Sequence, residues 1–191
     1  MLTFLRHGET KWNPEGRIQG TLDTRLSTYG RQCVEQYAKK NLSLCVNVIW
    51  TSPLRRAKET ALILATHFES ASKHVPLYEL DALVERAYGV YQGQKLEHLQ
   101  DHLLASREDL VFGADVEPWY DLQQRVLAAL RTIAAGPDQA LIVVHGGWLK
   151  AMHSLLQTGL QQENAGNLTG YSLRRSTLIS ILDKMNLREI G

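Results

Sequence analysis

Short apolar runs alternate with segments of helical periodicity along most of this chain. The runs CVNVIWTS (residues 45–52) and QALIVVHGG (residues 139–147) are rich in β-branched residues and bounded by turn formers, which predicts buried strands. Between them, PLRRAKETALILATHF and PWYDLQQRVLAALRTIAAG repeat apolar residues at helical spacing. Strands that alternate with helices predict an α/β fold, and we expect a three-layer α/β/α sandwich around a mostly parallel sheet.

The remaining predicted elements extend this alternation to both ends of the chain. Ser27 is the expected N-cap of a helix over residues 27–41, and the Gly-, Thr-, Asn- and Pro-rich residues 8–26 before it predict a long loop. Further strands are predicted over residues 1–6, 74–80, 175–183 and 186–191, and further helices over residues 53–68, 96–106, 118–136 and 148–157.

Length and composition favour one globular domain without a polyanionic partner. The chain has 191 residues, 44% hydrophobic residues and a formal net charge of +1, which argues against nucleic acid or an anionic membrane as partner. Arg6 and His7 interrupt the first apolar run, so no secretory signal is expected. Cys33 and Cys45 form no CxxC motif, and we expect buried free thiols in a cytoplasmic protein.

Charged and polar residues follow three of the predicted strands at the point where each strand ends. His7 follows the first strand, residues 52–56 follow the second, and His145-Gly146-Gly147 follow the strongly apolar run. Ligands of open α/β sheets bind at the carboxyl ends of the strands. We therefore expect these three clusters to meet at one edge of the sheet.

The side chains in these clusters are suited to phosphate chemistry. Guanidinium groups at Arg6 and Arg56 can bind a phosphate dianion through paired hydrogen bonds. An imidazole such as that of His7 or His145 can act as nucleophile on phosphorus, and a carboxylic acid such as Glu85 can protonate a departing oxygen. Arginines that neutralise the charge make a metal or other cofactor unnecessary. The chain also lacks the GxxxxGK[ST] loop of nucleotide-binding enzymes.

A metal site on the predicted helix over residues 96–106 is the weaker interpretation of its histidines. His98 and His102 are spaced i, i+4, as two ligands on one helix face would be. The pair lacks an HExxH motif and a third ligand, so a solvated helix face is favoured. His153 is expected to pack against neighbouring side chains rather than to bind a metal or a ligand.

Four segments, in this order, resemble the histidine phosphatase superfamily, the phosphoglycerate-mutase-like clan. They are RHGETKWN (residues 6–13), TSPLRRAKETA (51–61), ERAYGVYQG (85–93) and VVHGGWLKAM (143–152). The resemblance extends from Phe4 to about Met152. It implies a phosphoglycerate-mutase-like fold in one domain spanning residues 1–191, with residues 85–120 as a small cap over the site.

The resemblance also implies a role for each matching residue. His7 would be the phosphorylated nucleophile, Arg6 and Arg56 the phosphate clamp, His145 a second phosphate-binding histidine in its charged form, and Glu85 the proton donor. The resemblance further implies that the first loop closes over the phosphate and that the strand-end glycine offers a backbone N–H. The expected substrate-binding residues are therefore Asn13 and Gly20 in the loop, Gly146 as the backbone donor, and Tyr88 as an aromatic wall of the pocket.

Three functions remain open at this stage, and the segment between Glu85 and His145 discriminates among them. The favoured one is a phosphatase that acts on a small phosphorylated metabolite through a phosphohistidine; sugar phosphates, phosphoglycerate and ribazole phosphate all fit. A mutase that returns the phosphoryl group to a second hydroxyl is the alternative. A non-catalytic binding protein is third, because no catalytic residue is missing. Oligomeric state, a homodimer included, is left open.

The segment itself gives mixed indications. The separation of 60 positions between Glu85 and His145 is shorter than the resemblance to glycolytic mutases would require, and acidic residues outnumber the basic residues Lys95, Arg107 and Arg125 of this segment. An acidic cap is a poor match for a doubly phosphorylated activator. ERAYG, in contrast, resembles the mutase branch. Tyr91-Gln92-Gly93 in place of Trp-Glu-Gly and Pro118 in place of Ser are departures near the leaving group.

Overall fold

The computed structural model describes residues 1–42, 44–69, 74–98, 115–157 and 166–189, and contains an α/β/α sandwich. The strands are β1 (Leu2–Arg6), β2 (Val48–Thr51), β3 (Leu77–Glu79), β4 (Ala140–Val144) and β5 (Gly170–Leu173). The helices are α1 (Thr28–Lys40), α2 (Arg55–Phe68), α3 (Trp119–Ala135), α4 (Gly146–Leu156) and α5 (Arg175–Glu189), with short 3-10 turns at Asp81–Leu83, Gly89–Tyr91 and Leu96–His98.

The sheet has the order β3-β2-β4-β1-β5, and only β5 runs antiparallel to its neighbour. β1 and β4 are paired in parallel from Leu2 opposite Ala140 to Arg6 opposite Val144. His7 and His145 follow the last pair directly, so the two histidines leave the sheet at the same edge and on adjacent strands.

Two apolar layers enclose the sheet because residues of each strand alternate between its faces. On one face, Leu5, Ile49 and Val143 pack with α1 and α2. On the other, Phe4 and Ile142 pack with α3, α4 and α5. The expected three-layer α/β/α architecture is confirmed.

Most predicted elements are confirmed, with shifts at their ends. Ser27 caps α1, and its hydroxyl accepts a hydrogen bond from Gly30 N at 2.9 Å. The predicted helix over residues 53–68 begins at Arg55, and the one over residues 148–157 begins at Gly146. Of the helix predicted over residues 96–106, only the turn Leu96–His98 lies within the described residues.

The strands predicted over residues 175–183 and 186–191 are wrong as far as residue 189, because α5 occupies these positions; residues 190 and 191 lie outside the described residues. Its apolar residues recur at i, i+3, i+4 and i+7, which is the spacing of one helix face. Those that are buried or packed against the core are Leu178, Ile181, Leu182 and Met185. The strand that does form here is β5, a short edge strand whose one buried residue is Leu173.

Three smaller expectations have the following outcomes. Cys33 is half-buried and Cys45 is exposed, so the expectation that both thiols are buried is wrong, although neither forms a disulfide. The cap predicted over residues 85–120 lies partly outside the described residues, which omit 99–114. Among the residues described, no helix is both long and apolar enough to cross a membrane.

Candidate active site

The sheet edge brings His7 and His145 into one buried cluster. The His7 N–H donates to the Val144 carbonyl at 3.0 Å, which continues the β1–β4 pairing by one step. The two imidazole rings lie 5.1 Å apart between centroids, at an angle of 57°. His7 is 3% exposed and His145 is fully buried. The spatial encounter expected from the strand-end rule is therefore present.

A hydrogen bond to the backbone fixes the tautomer of His7. Nδ1 lies 2.7 Å from the Gly8 carbonyl oxygen, which can only accept, so Nδ1 carries the proton. In the neutral ring the lone pair is then on Nε2. This is the arrangement that a nucleophilic imidazole requires.

Arg56, in the first turn of α2, is anchored by the long loop before α1. Its Nη1 donates to the Leu22 carbonyl at 2.7 Å, and its Nη2 donates to the Gly20 carbonyl at 2.6 Å. Burial lowers the pKa of Arg56 to about 10, partly offset by Glu85 and Asp23, so the guanidinium stays charged at neutral pH. Its Nε is buried and has no hydrogen-bond partner among the described residues, so this donor is available to a ligand oxygen.

The side chain of Arg6 lies against the beginning of α4. A Cβ placed on Gly146 would lie 3.6 Å from Arg6 Cζ, an ordinary van der Waals distance, so the Arg6 guanidinium lies directly beside the first residue of α4. Burial lowers the pKa of Arg6, while the carboxylate of Glu85 and the hydroxyl of Tyr88 raise it. Arg6, Glu85, Tyr88 and Gly146 therefore belong to one electrostatic cluster.

The two histidines are held in their neutral forms by burial and, to a lesser extent, by the surrounding positive charge. Burial lowers the pKa of both rings well below 6.5, and the positive charges of Arg56 and Arg6 lower it further. His145 was expected to act in its charged form, and the site as it stands favours the neutral one. Both ring nitrogens of His145 are buried without a hydrogen-bond partner among the described residues, and a phosphate dianion beside them would favour protonation.

Glu85 lies at the N-terminus of α4 and accepts backbone hydrogen bonds there. Its Oε1 accepts from Trp148 N at 3.0 Å and from Arg86 N at 2.9 Å, and its Oε2 accepts from Gly147 N at 2.9 Å. Three backbone N–H groups thus fix the orientation of the Glu85 carboxyl group. A Cβ on Gly147 would lie 2.5 Å from Oε1 and 3.1 Å from the Tyr88 hydroxyl, so glycine is required for this contact.

Asn13 and Gly20 occupy the loop, in different ways. Asn13 Oδ1 accepts from Thr10 N at 2.8 Å and from Thr10 Oγ1 at 3.0 Å, so this oxygen caps a local turn. Gly20 has a φ of +52°, and a Cβ there would collide with the Gln92 amide. The Gly20 carbonyl accepts a hydrogen bond from Arg56, whereas the side-chain oxygen of Asn13 accepts hydrogen bonds within the loop.

Nearly the whole chain matches one protein family. Residues 2–184 match the sequence profile of the histidine phosphatase superfamily (branch 1). The chain belongs to the histidine phosphatase superfamily. The prediction from the four segments is confirmed, and so is the phosphoglycerate-mutase-like fold.

Similar proteins of this superfamily bear the names of both phosphatases and mutases. The chain is 32% identical to the "Metal-independent phosphoserine phosphatase" of Arabidopsis thaliana, over 90% of this chain and 74% of that protein. It is 35% identical to the "Probable phosphoglycerate mutase GpmB" of Salmonella arizonae, over 75% of this chain and 68% of that protein. A solved mycobacterial glucosyl-3-phosphoglycerate phosphatase matches with a TM-score of 0.73 and 28% identity, over 88% of this chain and 87% of that one. These comparisons support a phosphatase.

Several residues that hold the site of this histidine phosphatase were not singled out from the sequence. Asn167 Nδ2 donates to the His7 carbonyl at 2.9 Å from 160 residues away. Thr60 accepts from Gly8 N at 3.0 Å and donates to the Arg56 carbonyl at 2.7 Å, which links β1 to α2. The only sequence signal for the Thr60 contacts is a polar residue one helical turn after Arg56, and this signal is weak. No local feature of the sequence indicates that Asn167 contacts His7.

The remaining histidines and the neighbouring arginine of this histidine phosphatase have other surroundings. His153 makes an edge contact with Tyr171, with ring centroids 5.0 Å apart, as expected of a packing residue. His102 and the side chain of His98 lie outside the described residues. Arg55 pairs with Asp23 on the surface. In the described part of the chain, no group of three or more His, Cys, Asp or Glu side chains could hold a metal ion.

Proposed function

We propose that the protein is a metal-independent phosphomonoesterase that hydrolyses a small phosphorylated metabolite through a phosphohistidine on His7. The observation that carries the proposal is the pair of buried rings at 5.1 Å, with Nδ1 of His7 bonded to a carbonyl and two guanidiniums nearby. A neutral imidazole with a fixed tautomer is a competent nucleophile. The arginines supply the positive charge that a metal ion would otherwise supply.

In the first step, Nε2 of His7 attacks phosphorus, and the bond from phosphorus to the leaving oxygen breaks. Arg6, Arg56 and His145 stabilise the negative charge on the other three oxygens. Glu85 donates a proton to the leaving alkoxide, which departs as an alcohol. Each carboxylate oxygen has two acceptor sites, so Oε2, which accepts from Gly147, retains a site for this proton.

In the second step, water attacks the phosphohistidine. Glu85, now a carboxylate, removes a proton from the water, and the bond between phosphorus and Nε2 breaks. Inorganic phosphate leaves, and His7 and Glu85 return to their first states. Two displacements at phosphorus with one acid–base group thus complete the cycle.

Substitution of the nucleophile tests this proposal. His7→Ala is expected to lower the hydrolysis of p-nitrophenyl phosphate by at least about 10³-fold, because it removes the group that forms the covalent intermediate. His74→Ala, at an exposed histidine, is the matched control and should leave the rate unchanged. A His7→Ala variant with the wild-type rate would exclude the nucleophile, and loss of activity with EDTA would exclude metal independence.

The substrate class is inferred from the names of similar proteins and from the burial of His7 and His145. Similar proteins are named for phosphoserine and glucosyl-3-phosphoglycerate, which are small phosphorylated metabolites. We further propose that residues 85–120 act as a cap within a single domain. Ranking such metabolites by kcat/KM would identify the substrate.

A mutase is retained as the second candidate because ERAYG resembles that branch and one similar protein is named a probable phosphoglycerate mutase. It differs from a phosphatase in keeping water away from the phosphohistidine. Incubation with 3-phosphoglycerate and a trace of bisphosphoglycerate separates the two. Isomerisation to 2-phosphoglycerate with little free phosphate would replace the phosphatase proposal with the mutase.

A further inference from the structure

One half-buried guanidinium outside the phosphate cluster, that of Arg125, contacts the backbone that carries Glu85. Arg125 was expected to belong to a basic set in the cap, but it lies in α3, and its guanidinium contacts the backbone just before Glu85. Its Nη1 donates to the Val84 carbonyl at 2.6 Å and to the Ala82 carbonyl at 3.1 Å, and its Nη2 lies 3.5 Å from the Glu85 carbonyl. Three carbonyls within four residues thus converge on one side chain.

The same guanidinium is itself oriented by a carboxylate. Its Nε and Nη2 donate to Glu117 Oε1 at 2.9 Å and Oε2 at 2.8 Å, a two-bond pair that fixes the plane of the Arg125 fork. Glu117 Oε2 also accepts from Ala87 N at 3.2 Å, and the Glu117 carbonyl accepts from Arg86 Nε at 2.9 Å. The chain is therefore held on both sides of Glu85.

We propose that Arg125 is a positioning residue that sets the proton-transfer geometry of Glu85; this inference rests on the proposed function. The backbone N–H groups of α4 hold the carboxylate end of Glu85, and Arg125 holds its main-chain end. With both ends fixed, the side chain can present its proton in one direction only. A displacement of about 1 Å at such a group costs on the order of 10²-fold in rate.

The leaving group of the substrate separates this role from a purely structural one. Protonation matters most for a poor leaving group such as an alkoxide, and little for an acidic phenol that departs without help. Loss of fold or of phosphate binding would lower the rate with every substrate alike. Misplacement of the proton donor would lower it mainly with alkyl phosphates.

The experiment measures kcat/KM for 2,4-dinitrophenyl phosphate and for an alkyl phosphate in four variants. Arg125→Met and Arg125→Lys both remove the guanidinium fork. Arg125→Lys keeps the positive charge, and it serves as the test if Arg125→Met does not fold. Glu85→Gln is the benchmark for a lost proton donor. Arg131→Met, the same change on the exposed face of α3, is the matched control.

We expect both Arg125 variants to lose about 100-fold with the alkyl phosphate and less than about threefold with the dinitrophenyl ester. Equal losses with both substrates, or full activity in Arg125→Lys, would overturn the positioning role. If the loss of rate in Glu85→Gln does not depend on the leaving group, the assignment of Glu85 as proton donor in the proposed function is wrong. If Glu85→Gln shows it and the Arg125 variants do not, only the present inference fails.

Discussion

The buried histidines should make the stability of the unliganded protein depend steeply on pH. His7 and His145 have folded-state pKa values well below 6.5, chiefly because burial disfavours the charged ring. In the unfolded chain each has a pKa of about 6.5. At a pH below 6.5 the unfolded state therefore binds protons that the folded state does not bind, and the free energy of unfolding falls.

The magnitude follows from the two shifts together. Lowering the pH from 7.5 to 5.5 costs about 1.4 kcal/mol for each histidine that stays neutral in the folded state, or about 2.7 kcal/mol for the pair. The stability contributed by these groups is complete above pH 6.5 and is lost as the pH falls towards their folded-state values. A loss of this size is a large fraction of the stability of an ordinary domain.

Urea unfolding at a series of pH values measures this dependence. The difference in unfolding free energy between pH 7.5 and pH 5.5 should shrink by about 1.4 kcal/mol in His145→Asn and by a similar amount in His7→Asn, whatever each variant does to stability at pH 7.5. His74→Asn, at an exposed histidine, is the control. Saturating sulfate should flatten the curve, because a bound dianion favours the charged rings.

The result that would refute this reasoning is a pH dependence unchanged in both site variants. The two rings would then titrate in the folded protein as they do in the unfolded chain. In that case burial and the positive charges of Arg56 and Arg6 would not lower the pKa of these rings, and the neutral form of His7 would need another explanation.

Two further predictions concern the loop and its link to the sheet. Gly20→Ala should lower stability by at least about 1 kcal/mol and raise KM, because a positive φ combines there with a collision against Gln92. Gly16 also has a positive φ, but the space around it is open, so Gly16→Ala is the control and should show only the destabilisation caused by the positive φ. Thermal unfolding and initial rates on p-nitrophenyl phosphate measure both effects. Thr60→Val should cost about 1–3 kcal/mol, because it leaves the buried N–H of Gly8 without an acceptor; a melting temperature equal to that of the wild type would contradict this.

The sequence allowed the central strands and the histidine pair to be predicted for a clear physical reason. β4 is a continuous buried apolar run, β1 buries Leu2, Phe4 and Leu5, and the polar residues that follow each strand emerge where the strand ends. α5 was misread because the β-branched residues Thr177, Ile179 and Ile181 alternate along its first half as they would in a strand. β5 was missed because an edge strand of four residues, with only Leu173 buried, carries almost no pattern.

The contacts that orient the site could not be predicted in the same way. Arg125 is an ordinary residue of an amphipathic helix until the carbonyls of Ala82 and Val84 are placed beside it, 43 and 41 residues earlier in the chain. Asn167 reaches His7 across 160 residues. Local spacing holds information about which face of an element is buried, but none about which distant backbone atom will meet a given side chain.

The position of β1 between β4 and β5 has a consequence for biosynthesis. A ribosome releases the first strand long before its two neighbours, which lie more than 130 residues later. During that interval the strand has no permanent partner, and folding must wait for contacts of high sequence separation, which are slow to form. A nascent chain that ends before β4 also lacks the second imidazole, so phosphate chemistry should begin only after most of the polypeptide has emerged.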